Sequence, residues 1–321
     1  MRPFTANFYS TYKCNDMCEF CGFWQDESLR DVAEAPLEDT KKVLQEIREM
    51  GVPYLDVTGG EPLLRDDIGE IVKFAKELGF YVALTTNCLL YPEKAKEITP
   101  YVDRLLFSVD SPMPDEHDRI RGVACFDKFS ESVKVAASLG KSPTINFTAT
   151  RESIATLPDM VELARAHNLL LWINPVFDYG ALEGFEPETI EHIKYYASNK
   201  HVAFSHAALE FIRSFGNNEK KPRCRAAQAS ITVTPDLCLM IPCHKNKRGK
   251  IKIETSVKET LENSKGLSKE QGKMEICRGC MMWPYMIPSF FSKIDKYFFM
   301  SLWSLFDLYR KEYELQKGGK K

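Results

Sequence analysis

Three cysteines stand within eight residues, in Cys14-Asn15-Asp16-Met17-Cys18-Glu19-Phe20-Cys21. A structural zinc site is closed by four ligands, so three close thiols make one only if a distant residue completes it. They suit a cubane iron-sulfur cluster better: each cysteine holds one iron, and the fourth iron stays open to something other than protein. A second group, Cys224, Cys238, Cys243, Cys277 and Cys280, gathers near the end of the chain, and only Cys88 and Cys125 lie between the two groups. No apolar signal core opens the sequence and no run of eighteen apolar residues occurs in it, so a cytoplasmic location is the expectation. Reduced cysteines in that compartment point to metal or cluster ligation, not to a disulfide framework.

The elements that must position these thiols follow an α/β rhythm. Six β-prone runs, at Phe4–Thr11, Tyr54–Thr58, Tyr81–Thr85, Arg104–Val109, Thr144–Thr150 and Leu170–Asn174, alternate with amphipathic helices. In the segment from Asp67 to Gly79, Ile68, Ile71, Val72, Ala75 and Leu78 make one apolar stripe; Asp67 and Glu70 supply acidic N-terminal chemistry and Gly79 a stop. Such alternation predicts a parallel sheet with right-handed crossovers, open or curled into a partial barrel. The first cysteine group then lies at the carboxyl end of the first strand, where ligands bind in parallel α/β sheets. After Pro175 the rhythm gives way to a polar helical stretch from Pro187 to Phe215, and the link from Gly216 to Pro222 reads as a domain boundary. Beyond it, Ala229–Thr234 and Leu237–Ile241 form a hairpin around Pro235-Asp236. The charge balance, 43 basic against 45 acidic side chains, gives no reason to expect nucleic acid as a partner.

Three motifs in order resemble the radical S-adenosylmethionine (SAM) superfamily. Cys14, Cys18, Phe20 and Cys21 match its CxxxCxΦC signature; Gly59-Gly60-Glu61-Pro62 is similar to its GGEP motif; and Ser108-Val109-Asp110-Ser111 with His117-Asp118-Arg119-Ile120-Arg121-Gly122 resembles the SxDG…HDxxRG stretch of its peptide-modifying branch. The resemblance implies a partial (β/α)6 TIM-like barrel over residues 1–215. It implies that Cys14, Cys18 and Cys21 hold a 4Fe-4S cluster whose open iron is chelated by SAM. Reductive cleavage of SAM then gives a 5'-deoxyadenosyl radical that takes hydrogen from an organic substrate, leading to oxidation or bond formation. Phe20 is expected near the adenine, Gly59, Gly60 and Glu61 at the methionine amino group, and Ser108, Arg151 and Asn87 as further SAM contacts. A ferredoxin or flavodoxin is the expected reductant.

The hairpin from Cys224 to Cys243 resembles the opening of the SPASM and twitch domains, with Leu237-Cys238 where the family has glycine in the turn. With Cys277-Arg278-Gly279-Cys280, the resemblance implies a small twitch-like domain at 220–285 in which Cys224, Cys243, Cys277 and Cys280 hold one auxiliary 4Fe-4S cluster. Structural zinc remains an alternative there, and Cys238 is either a substitute ligand or a buried thiol. Residues 286–321 carry an apolar stripe at helical spacing, including Phe290, Ile294, Tyr297, Phe298, Ser301, Leu302, Leu305, Phe306 and Tyr309. The expectation is a C-terminal amphipathic helix packed on the barrel through that stripe; a peripheral membrane contact or a lid over a lipid substrate is the other reading. A small molecule or a peptide is the expected substrate. The alternatives are lipid or isoprenoid modification at a membrane surface and a non-catalytic iron-sulfur or zinc metalloprotein.

Overall fold

The computed structural model describes residues 3–176, 187–245 and 249–318. Its strands are β1 (Thr5–Thr11), β2 (Tyr54–Gly59), β3 (Tyr81–Thr86), β4 (Arg104–Ser108), β5 (Thr144–Ala149), β6 (Leu170–Pro175), β7 (Val202–Phe204), β8 (Ser230–Val233), β9 (Cys238–Met240) and β10 (Lys250–Lys252). Its helices are α1 (Glu27–Arg30), α2 (Leu37–Glu49), α3 (Ile68–Glu77), α4 (Tyr91–Ile98), α5 (Pro114–Arg121), α6 (Phe126–Ser138), α7 (Leu157–Ala166), α8 (Pro187–Tyr195), α9 (His206–Arg213), α10 (Val257–Asn263), α11 (Lys265–Ser268), α12 (Trp283–Phe290) and α13 (Lys296–Gly318).

All ten strands form one sheet in the order β10-β9-β8-β1-β2-β3-β4-β5-β6-β7, parallel from β8 to β7. Strand alternation sorts the side chains. Leu55, Val57, Leu105, Phe107, Ile145, Phe147, Leu171 and Ile173 join the helix-covered core. Asp56, Arg104, Asn146 and Trp172 alternate with them along the strands and face the other side. The hairpin of β8 and β9 extends the barrel sheet, because β8 pairs in parallel with β1 from Thr5↔Ser230 to Phe8↔Val233.

Sequence-based expectation and structure part at four places. β7 interrupts the stretch expected to be helical, since Val202, Ala203 and Phe204 are buried beside β6. Asp67 does not cap α3 with its side chain, because its carboxylate is taken by Arg65, at 2.5 Å from Nε and 3.1 Å from Nη2. Leu237 adopts the glycine-like φ of 56° in the turn before β9. Finally, α13 packs on α9, β6 and β7 through only part of the stripe read from the sequence: Phe290 and Ser301 are buried and Tyr297 stacks on Phe290, but Ile294, Leu302, Leu305, Phe306 and Tyr309 are exposed. Its inward face carries Ser301, Ser304, Leu308, Lys311 and Leu315. The fully buried Lys311 ammonium is matched by the carbonyls of Ala197 and Val202 and by Asp307, each at 2.7 Å. A lysine satisfied in this way can occupy an interface that periodicity alone would assign to apolar side chains.

Candidate active site

The loop that follows β1 carries Cys14, Cys18 and Cys21, all free thiols. Its shape is set from three sides. Below it, the Gly60 and Glu61 amides donate to the Thr11 and Lys13 carbonyls, each at 2.8 Å. A Cβ on Gly59 would stand 2.2 Å from the Thr11 carbonyl oxygen, and one on Gly60 would stand 2.0 Å from that of Lys13. The two glycines are therefore required by contact between backbones, which carries the β1–β2 pairing into the cysteine loop.

Glu61 is nearly fully buried. Its carboxylate accepts from the Leu63 amide at 3.1 Å, the Thr86 hydroxyl at 2.8 Å and the Asn87 amide at 2.8 Å. Burial pushes its pKa up to about 7, against the lowering effect of these hydrogen bonds. The oxygen bonded to Asn87 keeps a lone pair for a further donor. Asn87 has its side-chain amide committed to the loop, donating to Asn15 and Asp16, each at 2.8 Å.

The third brace comes from α5 and the turn after it. Met17 and Glu19 donate to the carbonyls of Arg121 and Ile120 at 2.9 and 3.0 Å. A Cβ on Gly122 (φ 69°) would sit 2.9 Å from that of Met17. Arg121, buried with Asp16 and Asp110, reaches Asp110 at 2.6 Å, Asp16 at 3.5 Å and the Cys18 sulfur at 3.6 Å. Burial pushes the Cys18 thiol up to about 12, and the adjacent guanidinium works against it. Cys14, although exposed as a residue, has its thiol raised to about 12 as well, by partial desolvation of the sulfur first and then by the charges of Asp16, Glu61 and Cys21. Cys21 lies within electrostatic reach of both other thiols.

Of the remaining expected contacts, Phe20 is half-buried on the loop itself. Phe23, which was not singled out, makes the ring contacts, stacking on Tyr9 and Tyr12 at centroid distances of 5.5 and 5.8 Å. Ser108 is buried at the carboxyl end of β4, and Arg151 is exposed on the turn after β5. No described hydrogen bond or ion pair ties Ser108 or Arg151 to the cysteine loop.

His117 is held in the same motif segment. It is buried, its Nδ1 accepts the Asp110 amide at 3.2 Å, and burial followed by the nearby Arg121 charge lowers its pKa to about 4. Asp118 and Cys125 stand close enough to share an ion with it, but Asp118 caps α6 through the Cys125 and Phe126 amides, each at 2.9 Å. A histidine neutral in the fold but basic when unfolded loses stability as pH falls from about 6.5 to about 4. Replacing it by glutamine, which keeps an acceptor for Asp110, is expected to flatten this slope. In urea titrations at the two pH extremes, the wild type should lose about 3 kcal/mol more than His117→Gln. Equal losses would mean that His117 does not titrate in this window.

At the far end of the chain, Cys224, Cys243, Cys277 and Cys280 line one cavity with Ala226 and Met282 among its other walls. Cys238 is not part of it and lies buried against Asp236, 3.6 Å from the carboxylate. Asn217 joins the two cysteine-bearing segments. Its amide nitrogen donates to the carbonyls of Gly272 (2.8 Å) and Cys277 (3.1 Å), and its oxygen accepts from the amides of Arg223 (3.0 Å) and Cys224 (3.2 Å). Its backbone adds bonds to Cys280 and Gly279. The Gly216–Pro222 link thus begins as the clasp of this site.

With this geometry in view, comparison with known proteins is direct. Residues 8–164 match the radical SAM superfamily. The chain carries a radical SAM domain. That superfamily consists of enzymes that bind a 4Fe-4S cluster and SAM. The chain is 33% identical over 158 residues to a probable GTP 3',8-cyclase of Saccharolobus solfataricus, covering 48% of this chain and 51% of that protein. It is 30% identical over 175 residues to the mycofactocin maturase MftC of Mycobacterium tuberculosis, covering 53% and 44%. The chain therefore spans about half the length of the curated relatives it matches. Its fold is similar to Streptococcus suis SuiB bound to its precursor peptide SuiA (TM-score 0.67, 18% identity, 91% of this chain and 74% of that one). It is likewise similar to native anSMEcpe with bound AdoMet (TM-score 0.65, 16% identity, 98% and 100%). The radical SAM domain is thus the partial β/α barrel expected from the sequence, with a C-terminal helix after it.

Proposed function

We propose that this chain cleaves SAM reductively at a cluster on Cys14, Cys18 and Cys21, and that the 5'-deoxyadenosyl radical so formed oxidises or couples a small organic molecule or a peptide. The observation that carries this reading is the three-sided bracing of a three-thiol loop at the carboxyl end of β1. When bound, the cluster supplies the electron that breaks the sulfonium bond.

The rest falls to the chain. Arg121 places a cation beside Cys18 and favours its thiolate, the form that ligates metal. The free lone pair of Glu61 is the acceptor for the methionine ammonium, and its burial makes that bond strong. Phe20, the backbone at Gly59 and Gly60, Ser108 and Arg151 line the path SAM would follow around the loop. Asn87 acts through the loop, since its side chain already holds Asn15 and Asp16. Electrons come from a small reductant protein of the ferredoxin or flavodoxin type, delivered in the cytoplasm.

A second, auxiliary 4Fe-4S cluster on Cys224, Cys243, Cys277 and Cys280 belongs to the same reading. Four thiols from separate segments converge on one cavity, which fits a fully ligated cluster with no open iron. Iron analysis after anaerobic reconstitution tests this. About eight irons per chain are expected in the wild type, and about four when either Cys14, Cys18 and Cys21 or the four auxiliary cysteines are replaced by alanine. Zinc in place of the second four irons would convert the auxiliary site to a structural metal site.

A further inference from the structure

The face of α13 turned away from the barrel is its aromatic one. Phe299 (60% exposed), Leu302, Trp303 (56%), Phe306 (58%), Tyr309 and Tyr313 (58%) form a continuous outward stripe. The 299, 302, 306, 309, 313 spacing keeps one helix face. The opposite face, Ser301, Ser304, Leu308, Lys311 and Leu315, makes the contact with the protein. A helix that docks through a mixed face of serines, two leucines and a lysine, and presents most of its aromatic rings to the outside, has an apolar side directed at something other than its own fold.

The charges around the stripe indicate what that is. Lys293, just before the helix, and Lys317, in its last turn, are exposed with no described ion pair, whereas Lys296 is matched by Glu210 and Arg310 by Asp307 and Glu314. The acids turn inward or are matched: Asp295 to Arg223, Asp307 to Lys311 and Arg310, Glu312 toward Arg104, and Glu314 to Arg310. A chain of net charge −2 therefore keeps two cations outside any described ion pair, Lys293 and Lys317, at the two ends of a stripe of exposed tryptophan, tyrosine and phenylalanine. Rings with an apolar body and a polar edge, flanked by lysine and arginine, suit the headgroup layer of an anionic bilayer. Among the described residues, no helix is long and apolar enough to cross one.

Position defines the consequence. The C-terminal half of α13 lies against the amino-terminal ends of the strands: Glu312 faces Arg104 at the start of β4, and the Leu315 carbonyl accepts from Asn168, just before β6. The cysteine loop follows the carboxyl end of β1. The helix therefore does not cover the candidate active site, and the lid over a lipid substrate is set aside.

We propose that α13 lays this stripe into the surface of an anionic phospholipid membrane, leaving the SAM end of the barrel facing away from it. The inference does not depend on the proposed chemistry. The test is co-sedimentation of the full chain with phosphatidylcholine vesicles, with and without phosphatidylglycerol. Binding is expected only when the anionic lipid is present. It should weaken roughly tenfold or more both in a Phe299→Ser/Trp303→Ser/Phe306→Ser variant and in a Lys293→Glu/Lys317→Glu variant that leaves the stripe intact. Retention of the wild type in the supernatant, or undiminished binding by both variants, would overturn the proposal. So would a concentration-dependent dimer that the serine variant abolishes in sedimentation analysis while the wild type ignores vesicles, because a second copy would then be the occupant.

Discussion

Replacing Arg121 by alanine is expected to destabilise the cluster-free fold by about 3–5 kcal/mol, because it leaves two buried carboxylates without their cation. Asp16 and Asp110 are each almost wholly buried, and the guanidinium stands between them and the Cys18 sulfur. Burial would lower the Arg121 pKa, but Asp110, Cys18 and Asp16 together raise it, which marks the pairing as favourable on balance. Asp16 is itself raised, by burial first, and Arg121 is the largest influence opposing that rise. Denaturant titration of the apo chain measures the loss. Arg121→Lys, which restores charge but not the fork, should recover part of it. A loss under about 1 kcal/mol would place this triad with exposed ion pairs, against its burial.

The second large effect is expected at Asn217. All four hydrogen-bonding positions of its side-chain amide are used, two by carbonyls of the Gly272–Cys277 segment and two by amides at Arg223 and Cys224. Asn217→Ala leaves the Gly272 carbonyl and the Arg223 and Cys224 amides without their partner in a buried place, while the Cys277 carbonyl keeps its bond from Cys280, a cost on the order of 3 kcal/mol. Asn217→Asp should be as damaging at neutral pH, since an ionised carboxylate cannot donate to the Gly272 and Cys277 carbonyls. The distinguishing readout is metal content: both variants should lose the metal of the Cys224/Cys243/Cys277/Cys280 site and retain that of the Cys14/Cys18/Cys21 site. Full metal retention at both sites would show that the cysteine segments converge without Asn217.

These two residues also show where sequence reading reaches and where it stops. Arg121 was legible only as a member of the His117–Gly122 motif, while its role as the cation shared by Asp16, Asp110 and Cys18 came from the fold. The strands β1 to β6 were visible for a related reason: each repeats a short β-prone run against an amphipathic helix, and the order of motifs fixed which strand ends carry chemistry. Asn217 was not visible. In Gly216-Asn217-Asn218-Glu219-Lys220-Lys221-Pro222 it looks like any polar linker residue, and only the approach of the distant CxxC segment makes it structural. The same limit hid β7, three residues long and helical in its surroundings, and it gave no sign that Gly59 and Gly60 are pressed against backbone atoms some fifty residues away in sequence. On α13, the stripe read from periodicity mixes two faces, since Phe290 and Ser301 are buried while Leu302, Leu305, Phe306 and Tyr309 are exposed. Side-chain hydrophobicity argued for the inside, while Lys311 and three backbone or side-chain acceptors outweighed it.

The central proposal is that a three-thiol loop, and not the four-thiol site, is where SAM is opened. The most direct measurement is 5'-deoxyadenosine release from SAM by the anaerobically reconstituted chain with dithionite, in wild type and in the two cysteine variants. Release is expected from the wild type and from the chain lacking Cys224, Cys243, Cys277 and Cys280, and none from the chain lacking Cys14, Cys18 and Cys21. A wild type that binds its full iron yet releases no 5'-deoxyadenosine, or a Cys14/Cys18/Cys21 variant that still releases it, would contradict the assignment.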